Sequence, residues 1–141
     1  MNKTKIAVRY YSQSGNTKKL AVKIAETAGT EAFSVDKTID EKVDILFLGA
    51  SVYWGGIDKN MKQFIDSLSP KMIGKVVVFS TSAMKENAYA QMKNKLCEKG
   101  IKVESENFYC RGQFTLLHKN RPNAEDLLHV EEFTKKLLGN K

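Results

Sequence analysis

Apolar and polar positions along the 141 residues follow two rhythms in turn. Short apolar runs rich in β-branched and aromatic residues occur at Ile6 to Tyr11, Ala32 to Val35, Val43 to Ala50, Val76 to Ser80 and Val103 to Tyr109. Between most of them apolar residues recur at helical spacing: Leu20, Ala21, Ile24, Ala25 and Ala28; Met61, Phe64, Ile65 and Leu68; Ala88, Tyr89, Met92 and Leu96; Leu127, Val130, Phe133 and Leu137. The run VDILFLGA is almost continuously apolar, as a parallel strand covered by helices on both faces requires. Strands alternating with helices predict an α/β protein, a three-layer α/β/α sandwich in which right-handed crossovers join five parallel strands. Asp58 is placed to cap the second helix and Asn123, with Asp126 three residues on, the last. Gly29, Gly74 and Gly100 read as residues that follow helical segments. The segment DKTIDEK, between the second and third strands, leaves room for only about one or two helical turns.

Open parallel sheets bind ligands beyond the carboxyl ends of their strands, where the winding reverses, so the loops after strands one, three and four are where chemistry is expected. The first of these reads Ser12-Gln13-Ser14-Gly15-Asn16-Thr17 and leads straight into a helix. The unpaired amides and positive dipole end of a helix start suit an anion, and the hydroxyls of Ser12, Ser14 and Thr17 add donors. Gly15 lets the backbone come close to such a ligand. The pattern describes a phosphate cradle, set against the plainer reading of a polar turn that caps a helix. It is not a nucleoside triphosphate loop, because the lysine and spacing of GxxxxGK[ST] are missing, and one glycine does not make GxGxxG. With no cysteine in the loop it lacks a phosphatase nucleophile.

The loop after strand three, Ser51-Val52-Tyr53-Trp54-Gly55-Gly56-Ile57, combines two aromatic rings with two glycines. Rings carried on a loop offer a stacking surface for a planar ligand, although they can equally pack the loop onto a neighbouring helix. After strand four come Ser80-Thr81-Ser82-Ala83-Met84-Lys85, whose hydroxyls and thioether can serve the edge and face of such a ligand. Cys110-Arg111-Gly112-Gln113-Phe114 follows the last strand and reads first as strand-end packing.

Together these features resemble the flavodoxin family. SQSGNT matches its S/T-x-S/T-G-x-T phosphate loop, and the likeness extends over the whole chain through length, strand spacing and the third-strand segment GASVYWGGIDKNMKQFIDSL. The resemblance, not the spacing, implies the strand order 2-1-3-4-5 and FMN as cofactor. It implies an FMN site formed by Ser12, Gln13, Ser14, Gly15, Asn16 and Thr17 at the phosphate, by Ser51, Val52, Tyr53, Trp54, Gly55 and Gly56 at one side of the flavin, and by Thr81, Ser82, Ala83 and Met84 at the other. In the family a ring from the third-strand loop covers the isoalloxazine and a peptide near its glycine turns toward N5. Tyr53 or Trp54 and Gly55-Gly56 match those positions. The glycine-flanked aromatic usual after strand four has no counterpart here. The implied function is a low-potential electron-transfer carrier between redox partner proteins. An FMN-dependent oxidoreductase of quinones, porphyrinogens or NAD(P)H, and a flavin-free binding module on the same fold, stay open as alternatives. A response-regulator receiver is disfavoured: strand one ends in Tyr10-Tyr11-Ser12 without an acidic pair, and strand three in Leu48-Gly49-Ala50 without a phospho-acceptor aspartate.

Composition narrows the partners. At 141 residues with 42% hydrophobic content, one domain spanning residues 1–141 is expected. The formal charge is +7, from ten basic and eight acidic residues before position 71 and thirteen and eight from there on. The lysines are interleaved with acids and form no aromatic-studded stripe, so nucleic acid is not indicated, and a docking protein is expected to present an acidic surface. The only cysteines, Cys97 and Cys110, do not form a CxxC pair, and His118 and His129 lack partners at metal-ligand spacing, which points away from a metal site. His129 reads as an ordinary helix residue. No stretch approaches the roughly 18 apolar residues of a membrane helix, and the first apolar run is too short for a secretory segment, so a cytoplasmic protein is expected.

Overall fold

The computed structural model describes residues 4–11, 15–52, 58–82, 89–111 and 122–139. The elements are β1 (Ile6–Tyr10), α1 (Asn16–Ala28), β2 (Ala32–Ser34), β3 (Val43–Val52), α2 (Lys59–Ser67), β4 (Ile73–Ser82), α3 (Tyr89–Glu98), β5 (Phe108–Arg111) and α4 (Ala124–Leu137). All strand pairs are parallel, and the sheet runs β2-β1-β3-β4-β5.

Successive side chains of a strand face opposite ways, and both central strands use this to feed two cores. Leu46 and Leu48 of β3 and Val76 and Val78 of β4 pack with Met61, Phe64 and Ile65 of α2 and Met92 and Leu96 of α3. Phe47, Val77 and Phe79 face the other way, onto Leu20, Ala21 and Ile24 of α1 and Val130 of α4. The near-continuous apolar run of β3 thus reflects burial on both faces. Fully burying one Leu, Ile or Phe here contributes roughly 1.5–3 kcal/mol. Gly49 has no room for a side chain: a Cβ there would lie 2.2 Å from the ring of Phe79, fully buried on the neighbouring strand.

Local signals end the elements as the sequence predicts. The Asp58 carboxylate accepts from the Asn60 amide at 2.7 Å. Asn123 and Asp126 form a reciprocal capping box, at 3.0 and 2.8 Å. Gly29 closes α1 with a left-handed φ of 79°. Gly100, with φ 81°, follows α3, its amide bonded to the Cys97 carbonyl at 2.9 Å.

Two expectations need correction, and the short crossover proves to hold no helical turn. Gly74 ends no helix: β4 starts at Ile73, and a Cβ on Gly74 would meet the Asp44 carbonyl oxygen at 2.4 Å. The fifth strand does not span Val103 to Tyr109. Val103 makes an isolated bridge to Val76, and continuous pairing begins only at Phe79 with Phe108. Three steps along β4 therefore match five along the segment from Val103 to Phe108, and the surplus polar residues leave the ladder. The segment from Asp36 to Lys42 contains no helix at all. Arg9 ties it down instead: Nε donates to the Lys37 carbonyl at 2.8 Å and an Nη to that of Thr38 at 3.3 Å, while the guanidinium lies 5.2 Å from the Phe33 ring centre. Burial lowers the Arg9 pKa, and Asp40 partly restores it.

Candidate functional site

A step in the sheet creates the site. β1 ends at Tyr10, opposite Gly49, whereas β3 and β4 stay paired through Ser51 with Thr81 and Val52 with Ser82. Three further residues at about 3.3 Å each carry these strands roughly 10 Å beyond the end of β1. Here the winding also reverses, since β1 and β3 are neighbours while β2 lies outside β1.

Helix α1 opens beside this step. Gly15 is its N-cap, with a left-handed φ of 88° and no side-chain cap hydrogen bond. The first turn of α1 carries no acidic residue, whereas α4 begins with Glu125, Asp126 and a capping box. The first two residues of α1, Asn16 and Thr17, are polar yet buried. Thr17 is fully enclosed, and its hydroxyl lies 2.8 Å from that of Thr81, itself buried, near the end of β4. Thr81 continues the alternation that points Phe79 toward α1, which is why it meets the helix start. The preceding residue, Ser80, faces the α2 and α3 layer, where its buried hydroxyl lacks a hydrogen-bond partner among the described residues.

The structure thus gathers Gly15, Asn16, Thr17 and Thr81 at one place. Ser51, Val52 and Ser82 are not loop residues: they belong to β3 and β4, because the ladder between those strands runs on past the apolar stretch. Cys110 and Arg111 lie within β5 and do not follow it. Ser12, Gln13 and Ser14, Tyr53, Trp54, Gly55 and Gly56, Ala83 and Met84, and also Gly112 to Phe114 and His118, lie outside the described residues. The Thr17 to Thr81 contact escapes sequence reasoning because 64 residues separate its partners. The available signal was parity: Thr81 sits two residues after Phe79 and so shares its face.

The buried groups of the described part of the step, Asn16, Thr17 and Thr81, are neutral. Groups with displaced pKa values lie elsewhere: Arg9 at the crossover, Lys5 raised by its bond to Glu41, and Glu104 and Glu131 lowered by bonds to Lys75 and Lys135. No cluster of three metal-binding side chains occurs among the described residues. A cavity of about 360 Å³ lies away from the step, against the helix-free crossover, and is lined by Arg9, Phe33, Lys37 and Asp40 among others. Amides at a helix start, a left-handed N-cap glycine and a buried hydroxyl pair suit an anion held by hydrogen bonds.

Comparison with known proteins decides the lineage. A family model described as the flavodoxin domain matches residues 7–116. The chain belongs to the flavodoxin family. An uncharacterized protein of Methanocaldococcus jannaschii, MJ0298, is 32% identical over 139 residues, covering 89% of this chain and 91% of its own. Among solved structures, a flavodoxin from the domain Archaea superposes with a TM-score of 0.78 at 19% identity, covering 96% of this chain and 97% of the other. Oxidised flavodoxin 1 from Bacillus cereus gives 0.74 at 23% identity, covering 98% and 99%. The strand order implied by the resemblance is the one this flavodoxin-family chain has.

The family implies FMN, and the described residues of this flavodoxin-family protein fit its phosphate. A Cβ on Gly15 would meet nothing within 4 Å, so open space adjoins the α1 start. The donors beside it are hydroxyls and amides, the groups a phosphate accepts from, and the absence of a carboxylate in the first turn of α1 removes a repelling charge.

Proposed function

We propose that this protein binds FMN at the step and carries electrons at low potential between redox partner proteins. The observation that carries the reading is the start of α1: a left-handed N-cap glycine, no acidic residue in the first turn, and the buried Thr17 and Thr81 hydroxyls at 2.8 Å. In this reading the amides around Gly15 and Asn16 and the Thr17 hydroxyl hold the phosphate, together with Ser12, Gln13 and Ser14. Tyr53 or Trp54 covers the ring, and the chain ends at Thr81, Ser82, Ala83 and Met84 flank it. Bound FMN supplies the one-electron chemistry, while the protein contributes position, exclusion of water and electrostatics.

Charge selects the docking partner. Lys18 and Lys19 open α1, Lys59 and Lys62 open α2, and all four are exposed at the end of the sheet where the strands terminate. With a net charge of +7, the protein suits a partner that presents carboxylates beside its own redox centre.

Flavin titration followed by stepwise photoreduction tests the reading. Tight FMN binding with two resolved one-electron stages, and no oxidation of NAD(P)H by the protein alone, is the expected outcome. Failure to bind FMN refutes it. Turnover of NAD(P)H or a quinone without a second protein reassigns the chain as an oxidoreductase.

A further inference from the structure

We propose a second ligand site, separate from the step: the cavity beside the β2 to β3 crossover binds a small organic monocarboxylate, its charge on Arg9 and its apolar body against Phe33. The site exists because a layer is thin there. β2 and β3 lie on opposite sides of β1, so the crossover between them passes over β1, and its Val35 and Ile39 join Ala7 and Val43 in the core shared with α2 and α3. Such a crossover is usually a helix, and this one contains none. The face of β1 and β2 that a helix would cover borders the cavity of about 360 Å³ instead.

Arg9 and Phe33 are register partners on neighbouring strands and share that face. Arg9 is only 7% exposed, yet it lines the cavity. Nε donates to the Lys37 carbonyl, one Nη to that of Val8 at 3.1 Å and the other to that of Thr38. A guanidinium has five N–H groups, so one on each Nη has no partner among the described residues. Carbonyls satisfy hydrogens but do not neutralise charge, and no carboxylate of the described residues forms an ion pair with Arg9; Asp40 acts on it only through space. A buried cation without a counterion is costly, and the N–H fork of an arginine matches a carboxylate. Lys37 adds a second cation, its Nζ 3.9 Å from the Phe33 ring centre and likewise in no ion pair among the described residues. The walls then select the ligand. The cavity falls in the range of about 300–1,000 Å³ usual for small organic ligands, and Ala7, Phe33, Ile39 and Val43 give it apolar surface. Lys5 is paired with Glu41, while the exposed Glu31 and Asp40 repel a second negative charge, which favours a monocarboxylate over a phosphate.

Titration of the intact, isotopically labelled chain with benzoate, followed by NMR at the Arg9 Nε–H and the Phe33 ring, tests the proposal. Both signals are expected to shift saturably, with a Kd of about 1 mM for so small a ligand. Acetate, which has the charge without the body, should bind about tenfold or more weakly, and benzylamine, with the body and the opposite charge, should not shift either signal. Arg9→Lys keeps the charge and removes the fork, and should weaken benzoate about tenfold or more. Because Arg9 also anchors the crossover, two exposed variants carry the test if that one does not fold. Lys37→Gln should weaken benzoate about two- to fivefold, and Asp40→Asn should tighten it by a similar factor. The opposite sign for Asp40→Asn, shifts with benzylamine, equal affinity for benzoate and inorganic phosphate, or no saturable shift with benzoate overturns the proposal. None of these outcomes bears on FMN binding at the step.

Discussion

Replacing Gly15 by alanine isolates the cost of a single backbone angle at the candidate site. Gly15 holds φ at 88° and ψ at −2°, and an added Cβ would meet nothing within 4 Å. Steric collision with the described residues therefore contributes nothing, and the penalty is local. Placing an L-residue in the left-handed region costs roughly 1–2 kcal/mol. Alanine also stiffens the unfolded chain, which returns about 0.4–1 kcal/mol. The net loss is about 1 kcal/mol, a fall in Tm of about 4 °C for a protein of this size. The identity of the replacement should order the losses. Asparagine visits this region readily, so Gly15→Asn should be close to neutral, and β-branched valine should cost more than alanine. Urea unfolding of the flavin-free protein, with wild type and the three variants side by side, gives the comparison. Alanine as stable as glycine, or valine no worse than alanine, would show that position 15 does not need its left-handed angle. The same series read by FMN titration should follow the same order, because relaxing φ turns the amides at the α1 start away from the ligand.

Gly49→Ala is the opposite case, a position where space is missing: its Cβ would lie 2.2–2.8 Å from three Phe79 ring atoms. A loss of about 1–3 kcal/mol is expected by urea unfolding, shrinking in a Phe79→Leu background, and an undiminished loss there would contradict the clash. Ser80→Ala should leave stability unchanged or raise it, because a buried hydroxyl without a partner costs about 1–3 kcal/mol; a loss above about 1 kcal/mol would reveal a partner. The Glu104 carboxylate is held below its ordinary pKa chiefly by its 2.8 Å hydrogen bond from Lys75. A lowered folded-state pKa means stability that is full above the ordinary carboxylate range and lost as pH falls through the folded value. Glu104→Gln should cost under about 1 kcal/mol at neutral pH for this partly exposed pair. That difference should disappear once acidification has protonated Glu104 in the folded protein, and a gap that persists there would contradict the assignment.

What the sequence made legible follows from the range of the forces involved. The layers of the sandwich were readable because a strand buried on both faces has to be apolar at every position, as VDILFLGA is, while a helix shows its stripe every three to four residues. Caps at Asp58 and Asn123 were readable because they act within three residues. The ends of β3 and β4 were not. Ser51, Thr81 and Ser82 are polar, and only their pairing across the ladder keeps them in strands, a contact between segments 30 residues apart. Arg9 holding the crossover and Thr81 meeting Thr17 were hidden for the same reason, since each joins distant segments through polar groups whose partners the local pattern does not name.

The first turn of α1 shows how a site can set stability against ligand binding. Lys18 and Lys19 are exposed there, at the positive end of the helix, and no acidic residue balances them. Cations in that position cost about 0.3–1 kcal/mol each at low salt. α4, whose start carries Glu125 and Asp126, has the arrangement that favours the helix itself. The unfavourable choice at α1 makes sense if an anion completes the electrostatics, because the same charges then attract the ligand. Lys18→Glu reverses one of them. The flavin-free protein should gain about 1 kcal/mol of stability, as the helix start acquires the charge its dipole prefers. FMN affinity should fall, because a carboxylate now stands where a phosphate is to be held, while riboflavin affinity should not change. Both effects should fade at about 1 M salt, where the screening length is about 3 Å. Opposite signs for stability and for FMN affinity are the test. A variant that gains both or loses both would mean that the charges at the start of α1 serve something other than an anion.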